Sequence, residues 1–164
     1  MSFQSLLTSL NHLTKLHRSL FELSVRKTDV VKEGNIDQLN ELLKNEQKYL
    51  AAVQTVDKQR QQAVVSFLEE KGGTLLNTPT IKECVEYGNE IEKEQLLAEH
   101  EQLVYQMEQL KERNDLNQQL IYQSLQFVNL NISMLQPQTE TVTYSRPNQP
   151  KQKHVNRSLF DSQA

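Results

Sequence analysis

Apolar residues recur at spacings of three and four along most of this chain, and few glycines or prolines interrupt them. That spacing places side chains on one face of an α-helix and is incompatible with a strand, whose faces alternate every second residue. Leu6, Leu10, Leu13, Leu16, Leu20 and Leu23, continuing to Val30 and Val31, form the first such face and predict a helix over residues 3–32. Gly34-Asn35 should end it, since glycine suits the left-handed residue after a helix and Asn35 can cap the next one. Gln38 stands three residues after Asn35, the spacing of a capping box. Leu39, Leu43, Leu50, Val53, Val56, Val64, Phe67 and Leu68 mark a second helix over 36–71, closed by Gly72-Gly73. A turn this tight predicts an antiparallel hairpin.

The chain then changes character. Thr78-Pro79-Thr80 reads as a helix start, with Thr80 and Glu83 spaced as a capping box and a short helix through Ile81, Val85 and Tyr87. The last helix is the longest, over 90–135, with Leu96, Leu103, Met107, Leu110, Asn117, Ile121, Leu125, Val128, Ile132 and Leu135 on one stripe. At 1.5 Å per residue it is about 70 Å long. It must therefore pack along the other two as an elongated bundle or extend beyond them. The expected fold is all-α: an elongated antiparallel bundle of three long helices plus one short helix (1–135), followed by a flexible, disordered tail (136–164). Pairing of long helices between two copies is an open alternative, and a monomer or homodimer fits the pattern equally.

Composition agrees with long helices. Only 37% of residues are hydrophobic, 6% are aromatic and tryptophan is absent, so the core must come from Leu, Val and Ile. The net charge is -3, of which the tail contributes +2 through Arg146, Lys151, Lys153 and Arg157 against Glu140 and Asp161. The acidic body that remains argues against a nucleic-acid partner, which needs a cationic face. A single cysteine, Cys84, excludes an internal disulfide and fits a reducing compartment. The opening Met-Ser-Phe-Gln has no basic lead, and no run reaches the length of a membrane span, so a cytoplasmic protein is expected.

No catalytic constellation is visible. His12 and His17 are five apart and face different ways on a helix, and no HExxH, CxxC, GxSxG or glycine-rich phosphate loop occurs. Carboxylates cluster between residues 90 and 115, but none of the four histidines follows a glutamate at the three-residue spacing of a di-metal bundle. They read as a solvated face. Cys84, between Glu83 and Val85, reads as a small core residue with a raised pKa rather than as a nucleophile. Neither an enzyme activity, a cofactor nor a metal is expected.

The order of parts resembles the FlgN family. A long amphipathic helix, a Gly34-Asn35-Ile36-Asp37 turn, a second long helix with Glu46 and Arg60, a short link and a very long third helix are all present. The stretch Asn117-Gln-Gln-Leu-Ile-Tyr-Gln-Ser-Leu-Gln-Phe-Val-Asn-Leu is similar to that family's Asn-x-x-Leu-(Leu/Ile)-x-x-Ser-Leu signature, with a trailing tyrosine at Tyr144. The family's Tyr-Gly reads Tyr144-Ser145 here. The resemblance implies a type III export chaperone that covers the C-terminal helical segments of the hook-filament junction proteins FlgK and FlgL. It also implies delivery to the membrane export gate component FlhA, a transient contact in which Tyr144 is the docking candidate. A coiled-coil adaptor dimerising through the long helix is the competing class.

Geometry suggests where a client would bind. At about 100° per residue, Ile121, Leu125, Val128, Ile132 and Leu135 line one row, expected to face the core. Leu116, Leu120, Phe127, Leu130 and Met134 line a second row roughly 130° away. One stripe per helix is enough for a three-helix bundle. The second row is therefore the expected client surface.

Overall fold

The computed structural model describes residues 2–73 and 80–136. Among them are four helices: α1 (Ser2–Glu33), α2 (Ile36–Glu70), α3 (Ile81–Tyr87) and α4 (Glu90–Leu135), with no strand. Thr78-Pro79, the tail from residue 137 with its Leu159-Phe160 pair, and Tyr144 lie outside the described residues.

Local chemistry sets each boundary. Gly34 has φ +70° and Gly72 φ +72°, the left-handed conformation that favours glycine. Each anchors the same paired closure. Gly34 and Asn35 donate to the carbonyls of Val31 and Val30, both at 3.2 Å, while Gly72 and Gly73 donate to those of Glu69 and Leu68 at 3.2 and 2.8 Å. The Asn35 side chain accepts from the Gln38 amide at 3.1 Å and starts α2, although Gln38 does not make the return half of the expected box. Thr80 and Glu83 form a complete capping box at α3. Asn89 and Glu92 form another at α4, which the sequence reading did not single out. A Cβ at Gly34 would meet nothing within 4 Å, so substitution there acts through the backbone alone. Replacing Gly34 with Val is expected to lower stability by about 1 kcal/mol or more, measured as a fall in the urea midpoint. An unchanged midpoint would show that the left-handed turn contributes nothing.

The helices run up, down and up. Ser2 at the start of α1 donates to Glu70 at the end of α2. Lys71, capping α2, pairs with Glu92 in the first turn of α4 at 2.8 Å, a contact that with the Asn89 amide lowers the Glu92 pKa. Ser24 of α1 donates to Asn114 of α4 at 2.8 Å, so α4 runs parallel to α1 with an offset of roughly 90 positions.

α1 is the spine. It packs along both α2 and α4, which do not pack on each other, and the short α3 wedges between those two near their shared end. Leu6, Leu10, Leu13 and Leu16 meet Val56, Ala63, Val64, Phe67 and Leu68 of α2, Cys84 of α3, and Leu96 and Leu103 of α4. The other half of the shaft has a mixed interior, in which Leu20 and Val30 sit with polar groups. Ser24, Lys27, Thr28 and Asn117 are all buried there.

Two features of the expected stripes are corrected. In the first half of α2, Leu43 and Leu50 are 40% and 48% exposed, whereas Leu42, Glu46 and Tyr49 turn inward. The inward positions recur every 3.5 residues, the repeat that keeps a seam against a neighbouring helix. In α4 the stripe is incompletely covered alongside α1 and open beyond it. Met107 is exposed, and Ile121, Leu125, Val128, Ile132 and Leu135, expected to face the core, are 37–82% exposed. α1 ends at Glu33, about level with residue 123 of α4 by the same offset, so roughly twelve residues of α4 project about 18 Å past it.

Candidate functional site

The projecting end of α4 is the candidate site, and its root is the buried polar layer. The Asn117 amide donates to the Ser24 carbonyl at 2.8 Å and to its hydroxyl at 3.1 Å, while the Thr28 hydroxyl donates to the Asn117 amide oxygen at 2.7 Å. The Ser24 hydroxyl in turn donates to the Asn114 amide oxygen. Each group of Asn117 is satisfied in one geometry, which fixes the register and rotation of α4 on α1. Beside this layer Lys27 of α1 reaches both carboxylate oxygens of Glu46 of α2 at 2.7 Å, with side chains only 11% and 17% exposed. The layer therefore ties three helices where the surface of α4 emerges.

Beyond it, no charged residue occurs from Leu116 to Gln136. The small polar side chains there fold onto their own helix. Ser124 donates to the Leu120 carbonyl at 2.9 Å, Asn131 to that of Phe127 at 2.8 Å and Ser133 to that of Leu130 at 2.7 Å. The large apolar side chains stand open to water beside them, with exposed glutamines on the remaining face. Among the second-row residues Leu116, Phe127, Leu130 and Met134 are 40%, 68%, 59% and 75% exposed, and Leu120 is half-buried. α3, the element nearest in sequence, packs at the opposite end of α4 and leaves this row open. A row of this kind can receive an apolar helix and offers no reactive group.

Among the described residues, the other groups that could do chemistry are already engaged. In the groove between α2 and α4 above α3, His17 is bonded to the Leu13 carbonyl of its own helix at 2.8 Å and Arg60 to Asp57 at 2.7 Å. Among the described residues no three His, Cys, Asp or Glu side chains are grouped so as to hold a metal ion. Cys84 is fully buried, and burial, then the neighbouring Glu83 charge, pushes its thiol up to about 11. The sequence reading missed Ser24, Lys27 and Thr28. Their signal was present as polar residues at the three- and four-residue spacing that continues the α1 stripe after Leu20.

A helical shaft bearing an uncharged helix end with open apolar side chains offers a surface on which a partner helix could dock. The FlgN protein family model matches residues 1–152, and the chain belongs to that family of flagellar export chaperones. It is also 33% identical over 165 residues to the uncharacterized protein YvyG of Bacillus subtilis (strain 168), with the whole of both chains covered. No solved structure matches the chain.

Proposed function

We propose that this protein is a cytoplasmic export chaperone that holds C-terminal helical segments of FlgK and FlgL along Leu116, Leu120, Phe127, Leu130 and Met134 until they reach the export gate. The observation that carries the reading is the second row, exposed from Leu116 beside the polar layer to Met134 well past the end of α1, with only Leu120 half-buried. An amphipathic client helix laid along it, with anchors three and four residues apart, would bury what is now open to water. FlhA is the gate component this reading names, with Tyr144 as the docking residue. A cytoplasmic location is consistent with the free, buried Cys84 and with the lack, among the described residues, of a helix long and apolar enough to cross a membrane.

The test is Phe127→Glu combined with Leu120→Glu, titrated calorimetrically with a C-terminal helical peptide of FlgK and melted in parallel. Two charges in an apolar groove should weaken binding by at least ~100-fold. The melting temperature should fall only slightly, because Phe127 lies beyond the end of α1 and Leu120 is only half-buried. Undiminished binding would place the client elsewhere, and an unfolded variant would assign the row to the core.

A further inference from the structure

Because α2 and α4 do not pack on each other, the side of the shaft between them is open except where α3 lies. One face of α2 shows what α3 covers and what it leaves. Leu43, Leu50, Asp57 and Val64 recur every seven residues and so share that face. Val64 and the neighbouring Leu68, at the end where α3 packs, are fully buried. Asp57 lines the groove beyond α3, and further along the same face Leu50 and Leu43 are exposed. His100 and Met107 line the α4 wall, with Val104 between them on the same side, over a floor of Leu10, Leu13 and His17 from α1. The space beside the start of α3 measures about 390 Å³. By the Lys27–Glu46 pairing Leu43 is level with Val30, so the channel runs about 25 Å from Leu13, the length of about 17 helical residues. α3 is a short stub of a fourth helix, and the channel is where a longer one would lie.

The rims define the helix that fits. Along the outer edge of the α4 wall, Glu94, Glu101, Glu108 and Asp115 recur every seven residues, and all four are exposed. Among the described residues no ion pair engages any of them. Against them stand Lys111 and Lys93, the latter held by Glu90 at 3.3 Å. The matching edge of α2 is neutral, with Gln47, Gln54 and Gln61, and the wall carboxylates Asp57 and Glu46 are paired with Arg60 and Lys27. Unmatched charge is therefore acidic and confined to one rim. A second copy would set acids against acids. The chain's own tail has basic residues, but Leu159-Phe160 is its one adjacent pair of large apolar residues, too little to fill such a channel. We infer that the channel is a second docking surface, which takes an amphipathic helix of another protein. That helix has apolar residues at spacings of three and four and lysines or arginines along the edge facing α4.

Magnitudes divide the work between the two features. A helix of this length, sunk between two walls, buries on the order of 1,200 Å² in total, the lower edge of a specific interface. Apolar contact with Leu50, Val53 and Met107 supplies the affinity. Exposed rim pairs contribute little each and are screened by salt, so the acidic rim selects the partner and its orientation. The channel lies roughly 160° round α4 from the client row, so both can be occupied at once.

The test uses the full chain and a fluorescent probe peptide of about 18 residues, with leucines at spacings of three and four and lysines at the flanking positions. A twin peptide carries glutamates in place of the lysines. By anisotropy the lysine probe should bind at least ~10-fold more tightly than its twin, with the difference shrinking as salt is added. Glu101→Lys with Glu108→Lys should reverse the preference. Leu50→Gln with Met107→Gln should weaken the lysine probe at least ~10-fold, with melting little changed because both side chains are exposed. Phe127→Glu with Leu120→Glu, on the client row, should leave probe binding intact, which separates failure of this inference from failure of the client reading. Equal binding of the two peptides overturns the inference. So does binding that survives loss of Leu50 and Met107, or that disappears with the client row. Two further results overturn it by naming another occupant. Probe binding about tenfold tighter after Lys151→Gln, Lys153→Gln and Arg157→Gln would give the channel to the tail. Probe affinity that falls as the protein is concentrated would give it to a second copy.

Discussion

Phe67→Ala is expected to destabilise the protein by about 3–5 kcal/mol, read as a large fall in the urea midpoint. Phe67 is fully buried near the end of α2, where its ring centroid lies 5.9 Å from that of Phe3 and the Lys71 ammonium lies 5.5 Å from it. Leu6, Leu10, Leu68 and Cys84 are packed in the same fully buried cluster. Truncation opens a cavity at the one place where all four helices approach, so relaxation should be limited. Small domains have roughly 5–15 kcal/mol in hand, so this one change removes a large share of it. A loss below about 1 kcal/mol would mean that this end of the shaft repacks freely.

Lys27→Met should be almost as damaging for a different reason. It leaves the Glu46 carboxylate, now 17% exposed and bonded through both oxygens, without its cation in the shaft. Removing one partner of a buried pair costs about 3–5 kcal/mol, and the residual water contact here argues for the lower end. The decisive measurement is the double change Lys27→Met with Glu46→Met, compared with each single change by denaturant titration. Removing both charges should restore most of the stability, because apolar contact replaces the pair. If the double variant is as unstable as Lys27→Met alone, packing rather than the stranded carboxylate explains the loss.

These two residues also show what the sequence made readable. Phe67 was legible because it belongs to an apolar stripe, and a stripe advertises its own burial. Lys27 and Glu46 were not, because charge normally marks the water-facing side and only their pairing across two helices makes burial tolerable. Most helix ends were legible for local reasons: Gly34, Gly72 and Thr80 act through bonds within a few residues. The seam of α2 was misread at Leu43 and Leu50, since leucine attracted attention where the 3.5-residue repeat in fact turned Leu42, Glu46 and Tyr49 inward. The first row of α4 was misassigned for another reason. Whether a stripe is covered depends on the length of its partner, and α1 has 32 residues against 46 in α4. The second row is open too, but since the first row is equally open, surplus over the needs of a three-helix bundle is not what exposes it.

The length of α4 governs how the molecule moves through solvent. A compact chain of this size has a radius of gyration of about 15 Å, whereas a 46-residue helix alone spans about 70 Å. Friction follows the long axis. On a sizing column calibrated with globular standards, one extended chain would therefore elute where a larger, rounder protein is expected. Elution position alone would count a single copy as two. Only a method that weighs the particle, independent of its drag, can distinguish a long monomer from a pair.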